Sequence, residues 1–226
     1  SDVCSSDLLS LRDAPPAEAL ERSHLAEMGS ICKMAVHENP KIRSTILLST
    51  LLGLMSFYPV WLIQPYMQLC QMPIGWFGPI WAGANLTVAI FSVLSHRFTS
   101  FLGERGQLKL FFLLTFAGLC GLGLTAGLFS FLFYYLLTAM RGLQGPFSRH
   151  FLQREGSRSN RASLLSLKAL AFRLAFVVTG PFIGLAADHF GINATFQFVT
   201  VTFLVLYIPV ATSFFRHNCR TSAGYA

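Results

Sequence analysis

Side chains suited to metal binding, redox chemistry or nucleophilic catalysis are scattered along this sequence. The cysteines are Cys4, Cys32, Cys70, Cys120 and Cys219, and the histidines are His24, His37, His96, His150, His189 and His217. No cysteine pair shows the C-x-x-C spacing of metal or redox sites, no G-x-S-x-G motif is present, and the histidines fall at or beyond the ends of the apolar segments. The sequence therefore predicts no catalytic residue, no metal site and no cofactor.

One charged residue, Arg173, stands inside an apolar segment. It lies about eleven residues from the start of that segment, roughly 15 Å along a helix axis. An arginine near the centre of a bilayer costs about 2.5–3.5 kcal/mol on insertion scales, so its side chain should face protein or a water-filled cavity. There it could pair with a carboxylate or an anionic substrate. Snorkelling of the side chain to the cytoplasmic interface is the alternative.

The composition excludes an ordinary soluble domain. Of the 226 residues, 53% are hydrophobic and only 12% are charged, against about 25% charged in soluble proteins. Beyond residue 40 the acidic residues are only Glu104, Glu155 and Asp188. The middle of the chain therefore has the composition of a protein that faces lipid.

Six apolar segments follow Arg43, each close to the roughly 20 residues that a helix needs to cross a bilayer core of about 30 Å. We therefore predict an all-α membrane protein with six transmembrane helices. The predicted spans are approximately residues 44–68, 75–96, 108–126, 128–148, 162–187 and 192–215.

The basic residues predict how these spans are oriented. When six spans are threaded from one side, every one of the 17 Lys and Arg residues except Arg173 falls on that side, and the opposite loops hold none. Short cytoplasmic loops carry the excess of positive charge. Both ends of the chain are therefore predicted to be cytoplasmic.

The densest basic run is RHFLQREGSRSNR, residues 149–161. A nucleic-acid patch would add aromatic residues for stacking, and Phe151 is the sole aromatic residue of this run. Binding of anionic lipid headgroups is a second interpretation, because juxtamembrane clusters gain about 1 kcal/mol per basic residue near the membrane surface. We interpret the run as the largest cytoplasmic loop, and Lys168, after it, as an interfacial residue.

Four stretches resemble the major facilitator superfamily of transporters. MRGLQGP, SNRASLLSLKALAFRLAF and GPFIGLAADHFG, in this order, resemble the tenth and eleventh helices of that family. NPKIRSTILLSTLLG, followed by WLIQPY, resembles the entrance to its seventh helix. The resemblance runs from about Asn39 to Arg220.

The resemblance implies that the chain is a fragment, the C-terminal six-helix half of a twelve-helix fold, built from two inverted three-helix repeats. Residues 1–43 would then be a cytoplasmic linker with a short amphipathic helix, residues 44–216 the transmembrane domain, and residues 217–226 a cytoplasmic tail. The first eight residues, SDVCSSDL, resemble a translated sequencing-adapter remnant rather than native protein.

The resemblance also implies a function, secondary transport of a small organic solute by alternating access in the bacterial inner membrane. Efflux of a drug-like molecule or metabolite is favoured. The implied partners are the lipid bilayer, the missing N-terminal half, the solute and protons, but no nucleic acid. Because the span interiors hold no Asp or Glu, a proton-titrating carboxylate would lie in the other half. The alternatives are a structural or regulatory six-span protein and a membrane-embedded enzyme.

Polar and aromatic residues within the spans are candidates for a substrate cavity, because the first helix of each repeat lines the cavity in this family. Helix packing is the competing explanation for each of them. The candidates are Tyr58, Trp61, Gln64, Asn85, Tyr134, Tyr135, Thr138 and Arg173.

Two further groups of residues resemble family positions. SFLGERGQLK retains a degenerate form of a gating motif, which makes Glu104 and Arg105 candidates for gating or for setting topology. Arg141 and Gln144, at the cytoplasmic end of the fourth span, are assigned the same two alternatives.

Gly180, Pro181 and Gly184 predict a bend in the fifth span and close approach of another helix.

Overall fold

The computed structural model describes residue 33 and residues 39–156 and 160–218. The predicted all-helical architecture is confirmed for this part of the chain, in which no strand occurs. The amphipathic helix predicted before residue 39 and the tail after residue 218 lie outside the described residues. The helices are α1 (Pro40–Leu69), a short 3₁₀ helix (Ile74–Trp76), α2 (Phe77–Leu124), α3 (Leu132–Glu155), α4 (Arg161–Phe190) and α5 (Ile192–Asn218).

Four stretches of the described chain are long and apolar enough to cross a membrane, by length and composition: Pro40–Leu69, Ile74–Leu124, Arg161–Phe190 and Ile192–Asn218. Helix α3 is not among them, because Arg141, Arg149 and Arg154 lower its hydropathy. The chain therefore has the helices of a multi-pass membrane protein.

Helix α1 begins at Pro40, before the predicted residue 44. The Asn39 side chain accepts hydrogen bonds from the backbone N–H groups of Lys41 (3.0 Å) and Ile42 (3.2 Å). This N-cap satisfies two of the donors that the first turn of a helix leaves free. Pro40 occupies the first helical position, where its missing N–H costs nothing.

Helix α2 covers two of the predicted spans, and the break predicted between Arg97 and Lys109 is almost entirely helical. The only non-helical backbone inside it is at Gly103, with φ 65° and ψ 176°. This conformation is essentially restricted to glycine. Charged residues had suggested a loop here, but the two helical parts of α2, residues 77–102 and 104–124, meet at this one residue.

Replacing Gly103 with alanine is expected to lower the free energy of unfolding by about 1–3 kcal/mol, the cost of holding a side chain in this backbone region. Gly78→Ala, also in α2, is the matched control, because an added Cβ at either position has no atom within 4 Å. Thermal unfolding of the purified protein in detergent compares the two variants. Equal melting temperatures would show that the kink does not require glycine.

Contacts between the ends of helices show that α2 runs along the bundle twice. At one end, called here the basic end, Arg154 contacts Glu104 (3.9 Å) and Glu155 contacts Lys41 (3.3 Å). At the opposite end, the Tyr66 hydroxyl donates to the carbonyl of Thr125 (2.6 Å). Because Phe77 follows α1 closely and Thr125 returns to it, both ends of α2 lie opposite the basic end, and Gly103 lies at the basic end.

Helix α3 continues through the first half of the basic run, up to Glu155, where a loop was predicted. Phe151 and Leu152 are buried, and Phe151 packs edge-on against Phe214 of α5 at 5.0 Å. This burial extends the helix beyond the apolar segment that the hydropathy pattern marks. The helix ends at Gly156, where the backbone becomes extended.

Helix α3 packs mainly on α2, while α1 contacts α3, α4 and α5. Helix α4 is peripheral, since Leu164 and Ile183 are its only buried residues. Several large apolar side chains of α4, namely Leu170, Leu174, Val177, Val178, Phe182 and Leu185, are exposed and face away from the described helices.

Candidate functional site

A cavity of about 560 Å³, lined by both polar and apolar side chains, lies between α1, α3 and α4. We call it the cationic cavity, because three of its lining residues are basic and none is acidic. Its lining consists of Ser49, Gly53, Ser56 and Phe57 from α1, Arg141, Gln144, Arg149 and Gln153 from α3, and Leu165, Lys168, Ala169 and Phe172 from α4.

Arg141 connects α3 to the middle of α1. Its Nε donates to the Oγ of Ser56 at 3.2 Å, and an Nη2 hydrogen bond reaches the Ser56 carbonyl. The guanidinium carbon also lies 5.6 Å from the ring centre of Phe57, within cation–π range. A guanidinium has five N–H donors, and Ser56 takes two of them. Donors therefore remain for a ligand in the cavity.

Gln144 makes the equivalent connection one turn further along α3. Its Nε2 donates to the carbonyl of Ser49 at 2.9 Å and lies 3.0 Å from the Ser49 hydroxyl. Arg141 thus pairs with Ser56 and Gln144 with Ser49, as antiparallel helices require. Both residues were predicted as candidates for gating or topology, and the structure places them in the cavity wall.

Lys168 brings α4 into the site. Its Nζ donates to the hydroxyl of Ser148 on α3 at 2.6 Å, and it shares the cavity lining with Arg149. The sequence interpretation missed both cations, taking Lys168 as interfacial and Arg149 as part of a loop. The sequence did contain a signal for the part of the site on α3, because Arg141, Gln144 and Ser148 have the spacing of one helical face.

The carboxylates of the described residues lie elsewhere. Glu155 contacts Lys41 at 3.3 Å and Arg154 at 3.6 Å, and Glu104 contacts Arg154 at 3.9 Å. Asp188 is about 30 Å from Lys168 along α4, at 1.5 Å per residue. No described carboxylate therefore lines the cavity to neutralise its cations.

Of the predicted gating pair at the Gly103 kink, Glu104 makes the ion pair just described. Arg105 places its guanidinium 4.4 Å from the ring centre of Phe215, in a cation–π contact with α5. Both residues therefore link the kink to other helices at the basic end, outside the lining of the cationic cavity.

An aromatic cluster connects the cavity to a second one. The ring of Phe57 packs edge-on against Phe172 (5.3 Å), Phe176 (5.0 Å) and Trp61 (6.3 Å). The second cavity, of about 430 Å³, is called here the aromatic groove. Its lining consists of Tyr58, Trp61, Leu62, Phe176, Val177, Gly180, Pro181, Ile183 and Gly184.

Two predicted cavity residues and the predicted packing motif therefore meet in the aromatic groove. Tyr58 is buried, and its hydroxyl lies 2.6 Å from that of Thr179 on α4, while Trp61 is 64% exposed. A Cβ at Gly184 would have no atom within 4 Å, and one at Gly180 would meet only Phe176 of its own helix. The close approach of another helix predicted at Gly180, Pro181 and Gly184 has no partner among the described residues.

Three more of the predicted cavity residues lie outside the linings of both cavities. Gln64, Asn85 and Arg173 are exposed, and the Asn85 amide donates to the Trp81 carbonyl of its own helix at 2.9 Å. Arg173, the charge that the sequence made most conspicuous, therefore lies on the outward side of α4.

The polar groups on α3 nearest the end opposite the basic end have structural partners. Tyr134 and Thr138 are buried, and the Thr138 hydroxyl donates to the carbonyl of Tyr135 at 3.0 Å. The Tyr135 hydroxyl donates to the carbonyl of Ile80 at 3.1 Å and thereby joins α3 to α2. Of the three, Tyr135 makes a hydrogen bond to another helix, and none of them lines the cationic cavity or the aromatic groove.

In the part of the chain that the structure describes, no group of three or more His, Cys, Asp or Glu residues is arranged to hold a metal ion. Two features of the described residues that could bind a ligand are the cationic cavity and the aromatic groove. No protein-family model, curated protein or solved structure matches this chain.

Proposed function

We propose that this chain is one half of a secondary transporter and moves a small organic solute across a membrane by alternating access. The observation that carries the proposal is the cationic cavity, a space lined by three basic residues between α3 and two long apolar helices, α1 and α4. Charged side chains between membrane helices are costly and commonly mark a substrate pathway. The resemblance to the major facilitator superfamily supports the same function.

Six membrane crossings are part of this proposal, and the length of α2 supports them. At 1.5 Å per residue its 48 residues would measure about 72 Å, more than twice a bilayer core of about 30 Å. The parts before and after Gly103 measure about 39 and 31 Å, so each is long enough to cross once. Helix α3 would be the fourth crossing, less apolar because it faces the cavity.

The charge distribution supports an orientation with the basic end in the cytoplasm. Lys41, Arg154 and Glu104 meet at this end, and positive charge is concentrated on cytoplasmic loops. In this orientation the cationic cavity reaches from the middle of α1 towards the cytoplasm. Coupling to protons would need a carboxylate of the other half, because Glu104, Glu155 and Asp188 lie at the ends of the proposed crossings and not inside them.

Cysteines introduced on either side of the proposed membrane are expected to react from opposite sides. Ser100→Cys, next to the Gly103 kink, should react with an impermeant thiol reagent only from the cytoplasmic side. Ala126→Cys, between α2 and α3, should react only from the other side. Both positions are exposed, so labelling in right-side-out and inverted vesicles of a cysteine-free background compares them directly. Reaction of both from the same side would contradict the six-span arrangement.

Transport itself is tested with the protein expressed from its complete natural reading frame and reconstituted in proteoliposomes. A panel of anionic, cationic and neutral aromatic solutes is assayed for saturable uptake, with and without a proton gradient. We expect saturable uptake of at least one solute class. Uptake that ignores the gradient would indicate a facilitator, and no uptake of any class would favour a structural or regulatory membrane protein.

A further inference from the structure

We propose that the cationic cavity binds the anionic group, a carboxylate or a phosphate, of a small amphipathic organic anion. The ligand's apolar body would lie against the aromatic cluster of Phe57 and Phe172. This proposal rests on the proposed function for its role in transport, whereas the binding event can be measured without transport.

The cationic cavity concentrates positive charge. Arg141, Arg149 and Lys168 line one space of about 560 Å³ that has no carboxylate in its lining. The nearby carboxylates of the described residues contact Lys41 and Arg154 instead. Arg141 and Lys168 are partly buried and Arg149 is exposed, and like charges brought together in one space repel each other. An anionic ligand would relieve this repulsion, whereas a cationic ligand would add to it.

The hydrogen-bond donors of the cavity are held in place by neighbouring side chains. Ser56 holds the Arg141 guanidinium through Nε and Nη2, which fixes its plane while leaving other N–H groups free. A fixed guanidinium suits the paired oxygens of a carboxylate or phosphate. Ser148 holds the Lys168 ammonium at 2.6 Å, which supplies a second positive charge from the neighbouring helix. The two cations are therefore positioned before any ligand arrives.

The cationic cavity also has an apolar wall. Gly53, Phe57, Leu165, Ala169 and Phe172 form the rest of the wall beside the polar residues. A volume of about 560 Å³ lies within the range of about 300–1,000 Å³ for small-molecule sites. Phe57 then leads to Trp61 and Phe176 of the aromatic groove. The site therefore suits a ligand with one charged end and a flat apolar body.

The binding test uses the full-length protein in nanodiscs of neutral phosphatidylcholine and isothermal titration calorimetry. The probes are 2-naphthoate, 1-naphthyl phosphate and the uncharged isostere 2-naphthamide. We expect at least one of the two anions to bind saturably, and 2-naphthamide to bind at least about tenfold more weakly, the loss expected for a charge-assisted hydrogen bond. Equal binding of charged and neutral probes, or no binding of either anion, would overturn the proposal.

Two variants locate the site, so that a folding defect in one does not decide the result. Lys168→Gln should weaken anion binding about tenfold, and Arg149→Gln, at an exposed position of the lining, should weaken it by up to about fivefold. Arg97→Gln, an exposed residue of α2 outside the lining, should bind like the unmodified protein, and size-exclusion chromatography confirms that each variant is folded. Unchanged affinity in both cavity variants would overturn the proposed site.

Anionic lipid headgroups share the chemistry of the proposed ligand, and native mass spectrometry separates the two sources. Retention of phosphatidylglycerol that Lys168→Gln abolishes, together with no binding of the soluble anions, would identify a lipid site and overturn the proposal. Anion binding without transport would leave the site intact and refute the transport function. Transport of neutral or cationic solutes without anion binding would do the opposite.

Discussion

Replacing Arg141 with glutamine is expected to reduce transport about 10- to 100-fold. Its guanidinium joins α3 to Ser56 of α1 and belongs to the lining of the cationic cavity. A hydrogen bond to a charged group contributes about 1.5–3 kcal/mol, and each 1.4 kcal/mol corresponds to about tenfold in an equilibrium constant. Initial uptake rates of the best solute in proteoliposomes measure the effect.

Arg141→Lys separates the role of charge from the role of geometry. A lysine keeps the positive charge but cannot form the planar two-point contact of a guanidinium, so its transport should lie between those of the arginine and glutamine forms. The matched control Arg97→Gln removes an exposed charge outside the cavity and should transport normally. If folded Arg141→Gln transports at the unmodified rate, Arg141 has no role in the solute pathway.

Replacing Gly142 with valine is expected to lower the free energy of unfolding by about 3 kcal/mol, the upper end of the usual cost of overpacking. An added Cβ would lie 2.5 Å from the backbone oxygen of Val88 and 3.1 Å from the backbone nitrogen of Ser92. These are backbone atoms of α2, which cannot move aside as a flexible side chain can, so α2 and α3 would be forced apart. The loss should appear as a lower melting temperature and a lower yield of monodisperse protein.

Gly145, in the same helix, provides the control for Gly142. A Cβ at Gly145 would have no atom within 4 Å, so Gly145→Ala should leave stability unchanged or raise it by up to about 1 kcal/mol through higher helix propensity. Valine and alanine differ in helix propensity by less than about 1 kcal/mol, so a larger difference between the two variants reports steric contact. A Gly142→Val protein that unfolds at the same temperature as Gly145→Ala would contradict the close approach of α2 and α3.

The sequence was sufficient to predict an all-helical chain but not where the helices end. Apolar segments identify the parts of a helix that match a bilayer core, whereas helices continue beyond them wherever other contacts persist. Buried Phe151 extends α3 into the basic run, and α2 bends at Gly103 without a loop. The Asn39 cap could have been recognised, since an Asn followed by Pro is a common start of a helix.

The site could be predicted only in part, because it depends on which helices meet. Arg141 and Gln144 were identified by resemblance, but their partners on α1 lie about 90 residues away in the sequence and no local pattern connects them. Lys168 joins them only because α4 packs beside α3 through Ser148. Arg173 was conspicuous because a charge in an apolar segment is rare, yet it lies on the exposed side of α4.

The most direct test of alternating access is the reactivity of a cysteine at position 57 from each side of the membrane. Phe57 lines the cationic cavity and packs against Trp61 and Phe176 of the aromatic groove, so it lies where the two spaces meet. In a cysteine-free background, Phe57→Cys should react with an impermeant thiol reagent in both right-side-out and inverted vesicles. Reaction from one side only would contradict a solute site that opens to each side in turn.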